Sequence, residues 1–176
     1  MKDLKEKTID SEYFYQGSIV NLRVDQVKLP SGNNSKREIV EHSGGVTVIP
    51  YQAEKIILVE QFRKPTEKVI LELPAGKLEM DEDLEQCALR ELKEETGYQA
   101  KSLQKITSFY TSPGFTDEKI HLFLATDLKK TKQQTDPEEF IKLREVRIEQ
   151  VTKMLAEGEF EDAKTIIGLQ YLLSSI

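Results

Sequence analysis

Apolar positions alternate with polar ones, or run together in short blocks, through the first half of the chain. Ile19–Leu29 reads IVNLRVDQVKL and stops at the turn Pro30-Ser31-Gly32-Asn33. REIVEH, GGVTVIPY and KIILVEQF follow, the last two separated by the polar turn Gln52–Glu54, and then comes KVILEL, Lys68–Leu73. Short runs rich in β-branched residues and bounded by turn residues predict strands. Pro74-Ala75-Gly76 is expected to end strand structure. Further strands are expected at Leu103–Tyr110 and Lys119–Thr126, with TSPGFTDE as the loop between them. FIKLREVRI reads as a final strand after the exposed polar loop LKKTKQQTDPEE. Helical spacing marks Asp83–Thr96, Val151–Leu155 and Ala163–Leu173, and Gly97 is the expected C-cap of the first. In the last, Ile166, Ile167, Leu169, Gln170, Leu172 and Leu173 form a mostly buried face. Strands and helices mix without a β-α-β rhythm, which favours an α+β fold over a doubly wound sheet.

The first helix is chemically odd. On a wheel with Leu84 at zero, Cys87 falls near ~300°, Glu91 near ~340°, Glu95 near ~20° and Ala88 near ~40°. Glu91 and Glu95 therefore share the apolar stripe, while Gln86 and Lys93 take the opposite side. An acidic run is ordinarily a solvated face, but these carboxylates point to the core. Like charges four residues apart destabilise a helix, and acids near its C-terminus oppose the macrodipole. Arg90 reaches Glu94 and leaves two carboxylates unbalanced. Clustered hard oxygen ligands of this kind suit Mg²⁺ or Mn²⁺, with phosphate oxygens and water completing the shell.

Composition sets outer limits. A length of 176 residues suits one domain with a small extra arm. The net charge of −6 argues against a general nucleic-acid binder. It leaves room for small anionic substrates, because a divalent metal reverses the local sign. Cys87 is the single cysteine, so no internal disulfide forms, and its place on the helix's buried side gives it a packing role. The charged N-terminus lacks a signal-peptide apolar run, and no stretch approaches the roughly 18 apolar residues of a membrane span. Cytoplasm and no membrane partner are the expectation. His42 and His121 have no metal-ligand spacing to each other, and His121, within KIHLFLAT, reads as structural.

The segment can be written Gly76, five residues, Glu82, seven residues, then Arg90-Glu91-Leu92-x-Glu94-Glu95-x-Gly97-Tyr98. It resembles the Nudix box, the signature of hydrolases that cleave a nucleoside diphosphate linked to another group. Gly76, Glu82, Arg90, Glu91, Glu94, Glu95 and Gly97 match its fixed positions, and Tyr98 stands where an aliphatic residue is usual. Pro113 in SPGFTDE, sixteen residues after Gly97, resembles the ADP-ribose pyrophosphatase branch. VEQFRKP, KREIVEH and the closing DAKTIIGLQYL also look like that branch, so the likeness spans nearly the whole chain.

The resemblance implies an α/β/α sandwich with a mixed sheet, residues 45–176 as the hydrolase domain and 1–44 as an N-terminal β arm that packs on a second subunit in a homodimer. It implies metal-dependent cleavage of ADP-ribose and related ADP-sugars to AMP and ribose 5-phosphate. The alternatives are another nucleotide sugar or a nucleoside triphosphate as substrate, and a non-catalytic ADP-ribose sensor, which an intact box disfavours. Glu91, Glu94 and Glu95 would hold the divalent cations, helped by the Ala75 carbonyl, while Gly76 and Gly97 permit the backbone turns around the helix and Arg90 orients a box glutamate. Arg63 would contact a substrate phosphate, since guanidinium suits bidentate phosphate binding. Arg37 would reach substrate from the partner subunit, Tyr15 would stack on adenine or anchor the core, and Ser112, Pro113 and Glu118 would meet the terminal ribose. The general base would lie on the loop TDPEEF, Thr135–Phe140, where Pro137 replaces the first expected glutamate. Glu139 aligns with the second, whose role includes a metal contact, and Glu138 stands next to the missing acid; either could serve as base.

Overall fold

The computed structural model describes residues 4–135 and 137–175. They fall into two compact units, one of described residues within 4–44 and 110–119 and the other of those within 45–109 and 120–175.

The first unit is an antiparallel meander of β1 (Lys7–Gln16), β2 (Val20–Lys28) and β3 (Asn34–His42). β2 and β3 pair in unbroken register from Val20 opposite His42 to Lys28 opposite Asn34. The Pro-Ser-Gly-Asn turn closes them, with Gly32 N–H donating to Leu29 O at 2.8 Å. β1 escapes the pattern of the sequence because every residue of KTIDSEYFYQ is exposed, so no apolar alternation marks it. The hairpin is pinned by a buried Asp25, which accepts from Ser11 Oγ at 2.7 Å and from Arg23 Nε at 2.8 Å. Residues 110–119 join this unit through Val40 N–H to Phe115 O at 2.8 Å and His42 N–H to Asp117 Oδ1 at 2.9 Å.

The second unit holds β4 (Gly45–Gln52), β5 (Lys55–Arg63), β6 (Lys68–Glu72), β7 (Ala75–Lys77), α1 (Leu84–Thr96), β8 (Tyr98–Tyr110), β9 (Lys119–Lys130), β10 (Ile141–Arg147), α2 (Ile148–Ala156) and α3 (Ala163–Ser175). The strands order as β10-β5-β4-β9-β8, with β6 on β5 and β7 on β4. β4 and β9 are parallel and the β4–β5 hairpin is antiparallel, so the sheet is mixed. Ala53 and Glu54 both have positive φ, as a tight two-residue hairpin turn requires.

Side chains alternate across the pleat and build one core on each face. Val46, Val48, Ile57, Phe123 and Ala125 meet Cys87, Ala88 and Leu92 of α1. Ile49, Ile56, Leu58, Leu71, Leu73 and Leu122 meet Val151 and Met154 of α2 and Leu169 and Leu172 of α3. Helix lies on either side of sheet, the expected α/β/α sandwich in an α+β chain.

Two expectations change. Ala75-Gly76-Lys77 does not stop strand structure but forms β7, with Thr47 opposite Ala75 and Gly45 opposite Lys77. β5 pairs with β4 only at Tyr51 and Gln52, so the other end of β4 is free to take this short partner. The polar segment after β9 also starts later than its composition suggests. β9 runs through Lys130, and the residues that follow are bound to α1.

Candidate active site

Asp83 begins α1 by accepting from Glu85 and Gln86 N–H at its N-cap. Gly97 ends it at φ 68, in the left-handed region that glycine tolerates best, and its N–H returns to Lys93 O. A helix leaves its last carbonyls without partners. Residues 131–134 supply them here: Thr131 N–H donates to Gly97 O at 2.6 Å, Gln134 N–H to Glu94 O at 3.0 Å, and Gln133 Nε2 to Glu95 O at 2.6 Å. A Cβ on Gly97 would lie 2.7 Å from Gln133 N, so this strap needs the glycine twice over.

The carboxylates of α1 fall as the wheel predicts. Glu95 is 4% exposed, level with the apolar residues around it. Ala75 N–H donates to its Oε2 at 3.0 Å. Burial, with added repulsion from Glu91 and Glu139, outweighs that bond and pushes the Glu95 carboxyl up to about 8. Burial likewise raises Glu91, against the pull of Arg90. Glu91 fills the space over Gly76, where a Cβ would come within 1.8 Å of its Cδ. Any side chain at position 76 would displace this carboxylate.

Arg90 does more than the sequence suggests. Its Nε and Nη2 grip Glu82 at 2.7 and 2.8 Å, and its Nη1 reaches Glu91 at 2.6 Å and Glu94 at 3.0 Å. The hydrogen bond from Arg90 holds Glu82 down at about 2, despite some burial. Arg90 thus partners Glu91 as well as Glu94, and among the described residues Glu95 alone of the three has no cation bonded to it. Because Arg90 draws Glu91 and Glu94 toward itself, no three acidic, imidazole or thiol groups among the described residues converge as a ready metal cage. The donors still fit a divalent ion: they are all oxygen, one is a buried carboxylate without an ion pair among the described residues, and another rests in a cradle that only glycine leaves open.

Residues 41–168 match the model of the NUDIX domain. The chain belongs to the Nudix family. Residues 6–40 match the nucleoside diphosphate sugar hydrolase N-terminal domain. The chain is 53% identical over 175 residues to the ADP-ribose pyrophosphatase of Bacillus subtilis (strain 168), covering 98% of this chain and 95% of that protein. It is 49% identical over 174 residues to the methanol dehydrogenase activator of Bacillus methanolicus, covering 97% and 94%. A crystal structure of an ADP compounds hydrolase superposes with a TM-score of 0.88 over 99% of this chain and 96% of that one; at 20% identity it speaks for the fold.

Around the Nudix helix, the second unit also carries Arg63 and the loop with Glu138 and Glu139. Both glutamates are exposed, and Asp136 of that loop lies outside the described residues. The charge of Glu139 acts on both Glu91 and Glu95. Arg63, at the end of β5, forks onto Glu72 with bonds of 2.7 and 2.8 Å, and its charge is felt at Glu95. Glu72, 2% exposed, and Lys164, which bonds it at 2.5 Å, were not singled out from the sequence. The available signal was an acid at an interior position of the apolar strand KVILEL.

The remaining site residues named from the sequence lie in the first unit. Tyr15 is on β1 and exposed, so it anchors no core within the chain. Arg37 is bonded to Glu6. Ser112, Thr116 and Glu118 line a cavity of about 320 Å³ with Val20, Val40, His42, Thr111 and Phe115. Glu118 accepts from Thr111 Oγ1 at 2.6 Å, and Pro113 follows Ser112 in the loop that turns there. His42 Nδ1 accepts from Gly44 N–H at 3.0 Å. His121 is structural, its Nδ1 2.7 Å from Ser108 Oγ. Burial pushes the Cys87 thiol up to about 12, in keeping with a packing role.

Proposed function

We propose that this Nudix chain hydrolyses the diphosphate bond of ADP-ribose, and of related ADP-sugars, to AMP and ribose 5-phosphate in the cytoplasm. The observation that carries the reading is the buried Glu95 carboxylate of the box helix, which accepts from Ala75 N–H and has no ion pair among the described residues. The choice of ADP-ribose rests on the 53% identity to a protein of that activity over nearly its whole length.

Glu91, Glu94, Glu95 and the Ala75 carbonyl would hold Mg²⁺, with Mn²⁺ as substitute, and Glu139 would add a ligand from its loop. A metal held there would supply charge to neutralise diphosphate oxygens and to lower the pKa of the attacking water. Of the two loop glutamates, Glu139 takes the water's proton in this reading, which is supported by the action of its charge on Glu91 and Glu95. The water oxygen bonds to phosphorus, the bridging P–O bond breaks, and the leaving phosphate carries away the electron pair. Arg90 keeps the box carboxylates oriented, Gly76 and Gly97 keep the space and the turn they need, and Arg63 contacts a phosphate. Ser112, Pro113 and Glu118 meet the terminal ribose, and Tyr15 stacks on adenine. The chain acts as a homodimer through its arm, residues 1–44, with 45–176 as the hydrolase domain. Arg37 then reaches the substrate held by the partner subunit.

The test is a substrate panel with pure protein and Mg²⁺, products separated by chromatography. ADP-ribose is expected to give the highest kcat/KM and the products AMP and ribose 5-phosphate, and EDTA to abolish turnover. Faster hydrolysis of a GDP-sugar or a triphosphate would overturn the substrate assignment. Full activity in EDTA would overturn the metal role.

A further inference from the structure

The motif DAKT at the start of α3 takes no part in the chemistry above, yet its side chains end beside Arg63. Asp162 caps the helix, accepting from Thr165 N–H at 2.9 Å and from Thr165 Oγ1 at 2.6 Å. Thr165 Oγ1 in turn accepts from Leu73 N–H at 2.8 Å, which ties α3 to the segment that leads into Ala75. Lys164 Nζ lies 2.5 Å from Glu72 Oε2 and 3.0 Å from Asp162 Oδ1. Glu72 holds Arg63 with both oxygens. Glu72 sits opposite Val59 across the β5–β6 ladder, and Arg63 follows Val59 by four residues, so all three share the sheet face against which α1 packs.

The charges in this group are unequal in their demands. Glu72 is 2% exposed and touches two cations. If Arg63 were its sole partner, the pair would be neutral and would offer little to an anion. Lys164 supplies the second charge. Asp162, its other contact, is already stabilised by the N-terminus of the helix it caps. Lys164 therefore compensates Glu72 and leaves Arg63 with net positive charge, while the Glu72 fork fixes the guanidinium plane.

We propose that Lys164 is a positioning residue for the substrate diphosphate: by compensating Glu72 it leaves the charge of Arg63 free to bind phosphate. The inference rests on the reading of Arg63 as the phosphate contact. Lys164 acts through Glu72 and Arg63, from the far end of the chain, and needs no contact with substrate.

The experiment is steady-state hydrolysis of ADP-ribose with Mg²⁺ by Lys164→Met, Lys164→Gln, Glu72→Gln/Lys164→Met, Arg63→Ala and Arg63→Ala/Lys164→Met, with melting temperatures for all. Lys164→Met and Lys164→Gln are expected to raise KM about 10-fold and to change kcat less than about 3-fold. Removing the charge of Glu72 as well is expected to recover most of the lost affinity, although it removes a second buried partner. In the Arg63→Ala background, Lys164→Met is expected to change KM no further, the signature of two residues that act as one unit. A purely structural role predicts the reverse: a lower melting temperature, no recovery in the double neutral variant, and additive effects. An unchanged KM in both Lys164 variants, or no recovery with Glu72→Gln, overturns the proposal; should Lys164→Met not fold, Lys164→Gln replaces it in each comparison. If Arg63→Ala alone leaves KM unchanged, the phosphate-contact reading falls and the proposal with it, an outcome distinct from a normal Arg63 effect with silent Lys164 variants.

Discussion

Glu95 is the residue at which burial and charge conflict most openly. Its carboxyl is pushed up to about 8 chiefly by burial, and Glu91 is raised for the same reason. The folded protein therefore keeps these protons to a higher pH than the unfolded chain does. Between the ordinary carboxylate range and about pH 8 the native state binds more protons, so metal-free stability must fall as pH rises through that window. Melting curves of EDTA-treated protein are expected to show that decline, and Glu95→Gln is expected to flatten it while lowering kcat on the order of 10²-fold or more. A melting temperature that rises with pH over this window would contradict the assignment. The two loop glutamates are told apart by the charge of Glu139, which acts on Glu91 and Glu95. Glu139→Gln is expected to lower kcat by roughly 10²-fold with little change in KM, and Glu138→Gln to stay near wild type. Equal effects, or the reverse order, would move the base to Glu138 or to the box.

At the scale of elements, α1 is a helix whose two ends serve different purposes. Its N-terminal half packs Cys87 and Ala88 into the sheet, and its C-terminal half turns carboxylates to the same side. The strap at residues 131–134 closes its last turn, five residues before Glu139 in the chain. Gly97→Ala puts an L side chain at φ 68 and a Cβ 2.7 Å from Gln133 N. A loss of about 1–2 kcal/mol in stability is expected from the backbone alone. The displaced strap should also lower kcat, because the loop glutamate moves with it. Denaturant midpoints and turnover measured together test this. A variant with reduced stability but wild-type kcat would show that the strap is only a cap.

At the scale of the whole molecule, the arm presents Ile9, Phe14, Tyr15 and Ile19 to solvent, an apolar set that a lone subunit leaves uncovered. β1 has no buried residue at all. These features support the proposed dimer, and sedimentation should find one at micromolar concentration. Deleting residues up to Lys28 is expected to weaken dimerisation and raise KM for ADP-ribose together, since both roles are proposed for the arm. A monomeric, fully active full-length protein would sink the idea.

By itself the sequence determined the box helix, its C-cap at Gly97, the core-facing placement of Glu91 and Glu95, and most strands of both units, because each follows from short-range periodicity and turn chemistry. It also carried the family through seven fixed positions at fixed spacing. β1 stayed hidden because a fully exposed strand leaves no apolar alternation. β7 stayed hidden because three residues beside a proline show no period, and only the free end of β4 makes them a strand. The reach of Arg90 beyond Glu94 to Glu82 and Glu91, the strap on the helix end and the Arg63–Glu72–Lys164 group were decided by tertiary structure. Their partners stand up to 92 residues apart in the chain. Electrostatics acts through space, and which charges become neighbours is settled only when the sheet and its two helical layers have packed.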